Sequence, residues 1–194
     1  ATALGVDYIN TGGAGSIAAG FLTTTISVPV EDDAIYELTE TYNVTLSAPV
    51  NATLGADVVG LGTIINSSAM PTVSIFGVTI TEGGAGIVTI ARNGLSQVSV
   101  IVNVVSSDIT AISGVDYAPV AFTGSILPSL NAVETVGFGV TALEDLIDEP
   151  QESFHVTINS AANATVFTSP ATVFIDDNDA APEISISDAT AVEG

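Results

Sequence analysis

The chain has no cysteine, no tryptophan and a single basic residue, Arg92, among 194. Without cysteine there are no disulfides and no thiolate metal sites, and the usual indicator of redox compartment is missing. One base against 22 Asp and Glu, a net charge of −21, excludes neutralisation by internal ion pairs. It also removes the basic patch that nucleic acid or an anionic membrane surface requires. Counter-charge must come from metal ions or dissolved salt. No apolar run reaches the ~20 residues of a spanning helix, so no membrane insertion is expected in this segment. A basic-then-apolar leader is also missing, and the first residues read as the interior of a domain. Aromatics make up only 6%, which leaves little to wall a glycosidase cleft between paired carboxylates. The lone His155 has no nucleophile beside it. No enzymatic role is expected.

What the chain does have is 47% hydrophobic residues, mostly Val, Ile, Ala and Leu, spaced by Thr, Ser, Gly and Asn. That is the make-up of packed β-structure. Alternation with period two marks inner faces at Val98, Val100, Val102 and Val104, at Val136, Phe138 and Val140, at Phe154, Val156 and Ile158, and at Val173 and Ile175. Further strands are expected at 72–76 with 78–81, at 86–92 and around 121–126, and no stretch holds a helical period. About seven short strands in ~110 residues predict an all-β fold of immunoglobulin-like sandwiches.

The chain also repeats itself. Gly5-Val6-Asp7-Tyr8 recurs as Gly114-Val115-Asp116-Tyr117, and Asn51-Ala52-Thr53 as Asn163-Ala164-Thr165. Tyr42-Asn43-Val44-Thr45-Leu46 recurs as Phe154-His155-Val156-Thr157-Ile158, and Glu82-Gly83 as Glu193-Gly194. The offsets, 109 to 112, correspond to one domain per repeat. Residues 1–70 are then expected to be the later part of one repeat, 71–181 a complete one, and 182–194 the first strand of another.

Acids gather at matching places. Residues 143–152, Leu-Glu-Asp-Leu-Ile-Asp-Glu-Pro-Gln-Glu, hold five carboxylates before a strand, and 31–40, Glu-Asp-Asp-Ala-Ile-Tyr-Glu-Leu-Thr-Glu, hold five more. Two carboxylates about 4 Å apart repel by roughly 4 kcal/mol at a surface-like dielectric. A turn that collects them needs a cation, and Asp, Glu and backbone carbonyls on separate loops are the oxygen donors that calcium takes.

Glu82-Gly83, Gly114-Val115-Asp116-Tyr117, the acidic turn with Glu144, Asp145, Glu149 and Glu152, and Ile175-Asp176-Asp177-Asn178-Asp179 stand in an order that resembles the Calx-beta repeat. That module is known from sodium–calcium exchangers, an integrin tail and long bacterial surface proteins. The resemblance implies an immunoglobulin-like sandwich that binds Ca2+ through loops at one end. The implied ligands are Glu82, Asp116, Glu144, Asp145, Glu149, Asp176, Asp177 and Asp179, with Glu152 bracing the loop. In the first repeat the matches are Asp7, Asp32, Asp33 and Glu37, with Glu40 bracing. There the pattern breaks, because Asn66-Ser67-Ser68 follows Ile65 where an Asp cluster would stand.

The function expected from these features is a calcium-stiffened structural or adhesive segment of a secreted surface protein or extracellular filament. Its partners would be neighbouring repeats or copies of itself, with 182–194 available for strand donation to an open sheet edge. Asn43, Asn51, Asn66 and Asn163 lie in Asn-X-Ser/Thr sequons and are candidate glycan acceptors. The alternative is a regulatory calcium sensor of a membrane transporter, against which the shortage of Lys and Arg weighs.

Overall fold

A computed structural model describes residues 7–194, and every regular element among them is a strand. Two lie in the first repeat, β1 (Glu40–Thr45) and β2 (Val59–Ile64), paired antiparallel. Nine form the complete repeat: β3 (Thr72–Phe76), β4 (Thr79–Thr81), β5 (Ala85–Asn93), β6 (Val100–Asp108), β7 (Ala121–Ile126), β8 (Val133–Thr141), β9 (Glu152–Ala162), β10 (Thr165–Thr168) and β11 (Ala171–Asp176). They make a four-stranded sheet ordered β10-β3-β5-β8 and a five-stranded sheet ordered β4-β11-β9-β6-β7.

The count exceeds the expected seven for two reasons. β3 pairs antiparallel with β5 in one sheet, whereas β4 pairs parallel with β11 in the other, so the opening strand changes sheets between Phe76 and Thr79. Gly77 makes the crossing feasible, because a Cβ there would lie 1.8 Å from the Thr172 carbonyl oxygen. The second addition, β10, is exposed at all four positions, so it carries no alternation to read.

The inner faces meet in one core. Val73, Val88, Ile90, Val100, Val102, Phe154, Val156 and Val173 are fully buried, each on the face that period-two alternation assigns. Burial of each such side chain contributes about 1.5–3 kcal/mol. Val98 falls outside β6, which begins at Val100. Tyr117 plugs the core end: its ring stacks on Phe154 at 3.8 Å and its hydroxyl donates to Asp108 Oδ1 at 2.6 Å. With Tyr117 anchored inward, its neighbour Asp116 is held at the tip of the sandwich.

The first repeat reproduces this corner. Tyr8 stacks on Tyr42 at 4.8 Å and bridges Val30, as Tyr117 stacks on Phe154 and bridges Ala142. Glu40 faces Ile64 across β1 and β2, as Glu152 faces Ile175 across β9 and β11. Residues 182–194, expected to be a strand, carry no regular structure and are exposed throughout. A strand is held by its ladder, and this segment pairs with none of the described residues.

Candidate metal centre

Six carboxylates converge at one tip of the complete repeat, supplied by separate pieces of backbone. Glu82 follows β4, where Gly83 adopts φ +67° and turns the chain into β5. Asp116 stands in the β6–β7 connection, and its Oδ2 accepts from the Ile112 N–H at 2.6 Å, which fixes the turn. Glu149 stands in the β8–β9 connection, Glu152 opens β9, and Asp177 and Asp179 follow the end of β11.

They form two trios, Glu82 with Asp177 and Asp179, and Asp116 with Glu149 and Glu152, the offered oxygens of each lying within 4.8 Å of one another. Glu82, Asp177, Asp116, Glu149 and Glu152 line a cleft of about 10 Å³ together with Pro150 and Ile175, and Asp179 joins through its trio. The frame is tied by hydrogen bonds. The Asp145 N–H donates to Glu82 Oε1 at 3.0 Å, the Glu82 N–H to the Asp176 carbonyl at 2.9 Å, and Asn178 Nδ2 to the Glu82 carbonyl at 3.1 Å.

Electrostatics show what the frame lacks. Partial burial, reinforced by Asp116 and Glu149, pushes the Glu152 carboxyl up to about 7. Glu82, Glu149 and Asp179 are raised too, first by desolvation and then by neighbouring carboxylates. Asp177 Oδ1 and Asp179 Oδ2 are buried without a hydrogen-bond partner among the described residues. The chain's single cation does not help. Arg92 is buried at the far end of β5, about 23 Å of strand from Ala85, where its Nη2 donates to the Ser129 and Asn131 carbonyls. Screening in physiological salt acts over about 8 Å. An all-oxygen donor set with orphaned, partly buried lone pairs fits a hard divalent cation.

The implied ligands are not all placed together. Glu82, Asp116, Glu149, Asp177 and Asp179 are gathered in the trios, and Glu152, assigned a bracing role by resemblance, stands among them. Asp176 points outward and its Oδ1 accepts from Gln151 Nε2 at 2.6 Å. Asp145 Oδ1 accepts the Ile147 N–H at 2.7 Å within its own turn. Glu144 and Asp145 remain close enough to raise Asp179 but lie outside both trios. Alternation explains part of this: Ile175 points into the core, so Asp176 points out and Asp177 returns to the tip side.

The tip of the first repeat is built differently. Asp7, Glu31, Asp32, Asp33 and Glu37 line a cavity of about 100 Å³ with Asn66, Ser67 and Ser68. Asp7 is buried, and its Oδ2 has no partner among the described residues. Burial first, then Asp7, Asp33 and Glu40, raise Glu37. Where the complete repeat has Asp177 and Asp179, two and four residues beyond Ile175, this one has Asn66 and Ser68, at the same distances beyond Ile64. Ser67 Oγ donates to Asp32 Oδ1 and Ser68 Oγ to the Asp33 carbonyl, each at 2.9 Å.

Of the sequon asparagines, Asn43 and Asn51 are exposed. Asn66 Nδ2 is tied to the Ser68 carbonyl and Asn163 Nδ2 to the Ser99 carbonyl, so a glycan on either would first break that bond.

An acid-tipped β-sandwich, preceded along the chain by a second acidic tip of the same build, is the class of protein that this fold and site define. The Calx-beta domain model matches residues 1–77 and again 71–179, and the chain belongs to the Calx-beta family. Its fold is similar to the apo-form Calx CBD1 domain, at 22% identity and TM-score 0.50, covering 57% of this chain and 100% of that one. It is likewise similar to the calcium binding domain CBD12 of CALX1.1, at 23% identity and TM-score 0.50, covering 59% of this chain and 50% of that one. No curated protein sequence matches the chain.

Proposed function

We propose that the chain is a calcium-binding structural segment of an extracellular or cell-surface protein, in which the ion stiffens the repeat and its junction. The observation that carries this reading is the convergence of Glu82, Asp116, Glu149, Glu152 and Asp177 on one cleft, with Asp179 beside Glu82 and Asp177, two buried orphan oxygens and no base in reach. These six side chains would hold the ion, and what it supplies is positive charge. Bound calcium ties the exit of β11 to the end of β4 and to the β8–β9 turn, three segments that otherwise repel. The similar CALX1.1 structure is that of a calcium binding domain, which agrees with the choice of ion. The net charge of −21 suits a medium rich in divalent cations, which supports an extracellular setting.

Calorimetric titration with calcium, paired with limited proteolysis in chelator and in about 1 mM calcium, tests the reading, since extracellular modules bind in roughly that range. Saturable binding and slower cleavage within residues 143–152 and 176–180 are expected. Identical proteolysis in the two buffers would sink the stiffening role.

A further inference from the structure

We infer that the exposed turn Leu146-Ile147-Asp148 is a docking surface for the 95–97 loop of a following copy of this repeat, and that the contact needs no ion. This goes beyond the calcium reading, because it rests on backbone pairing and apolar cover.

The first repeat shows the contact made. Its turn is locked by the Ile35 N–H donating to Asp33 Oδ1 at 2.8 Å, and Ile35 and Tyr36 are both only 8% exposed. The Tyr36 N–H donates to the Leu95 carbonyl at 3.1 Å, and the Gln97 N–H donates to the Tyr36 carbonyl at 3.0 Å. Gln97 Nε2 also donates to Glu37. The tip of one repeat is thus seated on the loop between β5 and β6 of the next.

The complete repeat presents the same turn uncovered. At the offset of 112, Ile147 stands for Ile35, Asp148 for Tyr36 and Glu149 for Glu37. The local lock is identical, the Ile147 N–H donating to Asp145 Oδ1 at 2.7 Å. Yet Ile147 is 59% exposed and Leu146 89%. Two turns of one shape therefore differ in cover: the first has a repeat after it in the structure, and the second does not. The two pairing bonds use only main-chain atoms at Tyr36, so Asp148 offers the same donor and acceptor. Glu149 offers an acceptor to the Gln97 of the incoming copy. Covering two exposed aliphatic side chains supplies the apolar part of the contact.

Amide hydrogen exchange on the 194-residue chain, and on the same chain extended after Gly194 by a copy of residues 84–181, tests the inference. Gly194 matches Gly83, so this extension continues the repeat in register. The Asp148 amide is expected to exchange at least ~10-fold more slowly in the extended chain, in chelator as well as in calcium. Ile147→Asp should restore the fast rate, with the Tyr36 amide of the first junction unchanged. Equal Asp148 rates in the two chains, or slowing that appears only with calcium, would overturn the inference. A second variant needs no extension. Tyr36→Asp in the 194-residue chain should leave the Gln97 amide protected, and loss of that protection would show that an aspartate cannot take this seat.

Discussion

The two tips start from the same corner and close it by different means. Both have an anchored tyrosine, an Asp beside it and a five-acid turn opposite. In the complete repeat, Asp177 and Asp179 add charge to the acids already present, and Asp177 Oδ1 and Asp179 Oδ2 are left buried and unpartnered among the described residues. In the first repeat, Ser67 and Ser68 bring hydroxyl donors, which bond Asp32 and the backbone of Asp33 directly. A hydroxyl closes the loop in any buffer, whereas a carboxylate closes it only around a cation. Exchanging two or three side chains on one frame therefore converts a permanent latch into a conditional one.

The largest test of this contrast is addition of calcium. At a hundredfold excess over Kd, binding to the folded form alone adds about 2.7 kcal/mol. For a domain of this size that corresponds to a rise in Tm of roughly 10–20 °C by calorimetry. The rise should belong to the transition that melts β3 to β11. A rise confined to the first repeat would reverse the comparison.

Asp177→Asn should change sign with the buffer. In chelator it removes one member of a crowded trio and raises Tm, while in calcium it removes a donor and the calcium-induced gain falls by more than half. Thermal melts in both buffers check it, and a variant less stable in chelator than the parent would contradict the repulsion argument.

The converse change, Asn66→Asp with Ser68→Asp, rebuilds the acid pattern in the first repeat. In chelator it should cost about 1 kcal/mol for each hydrogen bond lost. Calorimetric titration should then show an added calcium step. Unchanged stoichiometry would mean that the frame, and not these two side chains, decides binding.

The smallest effect is that of pH in chelator. Glu152 titrates near 4.5 when unfolded and near 7 when folded, so between those values the folded chain holds a proton that the unfolded chain has released. This contribution is greatest below pH 4.5 and declines as pH rises to 7. Glu82, Glu149 and Asp179 are shifted in the same direction. Tm in chelator should therefore fall by roughly a few °C between pH 5 and 7.5, and calcium should flatten the slope. A Tm that climbs over this interval in chelator would refute the assignment.

Much of the fold was legible because its signal is local. Period-two runs located the inner faces of β6, β8, β9 and β11, the strands expected at 72–76 and 86–92 are β3 and β5, and the two family matches agree with a repeat at the 109-to-112 offset. What escaped was non-local. β10 has no buried position to announce it, and residues 182–194 have strand-like spacing without a ladder to join. At the tip, the family resemblance took whole runs of acids, Glu144 with Asp145 and Asp176 with Asp177, while geometry selects among them by the direction of the side chain. Asp176 is adjacent to Asp177 yet faces solvent, held by Gln151. Glu152 belongs with Asp116 because the Thr110 and Ala111 N–H groups of the β6–β7 connection both donate to the Ser153 carbonyl, contacts that span 43 and 42 residues of sequence.

The crossing at Gly77 has a mechanical consequence. It places β4 alongside the last strand of the repeat and parallel to it, with Thr79, Ile80 and Thr81 opposite Phe174, Ile175 and Asp176. Tension applied through the two ends of the repeat therefore slides one strand along the other and strains the whole ladder at once, instead of unzipping it bond by bond. Single-molecule stretching should show one abrupt rupture per complete repeat, and gradual peeling would mean that this pair bears no load.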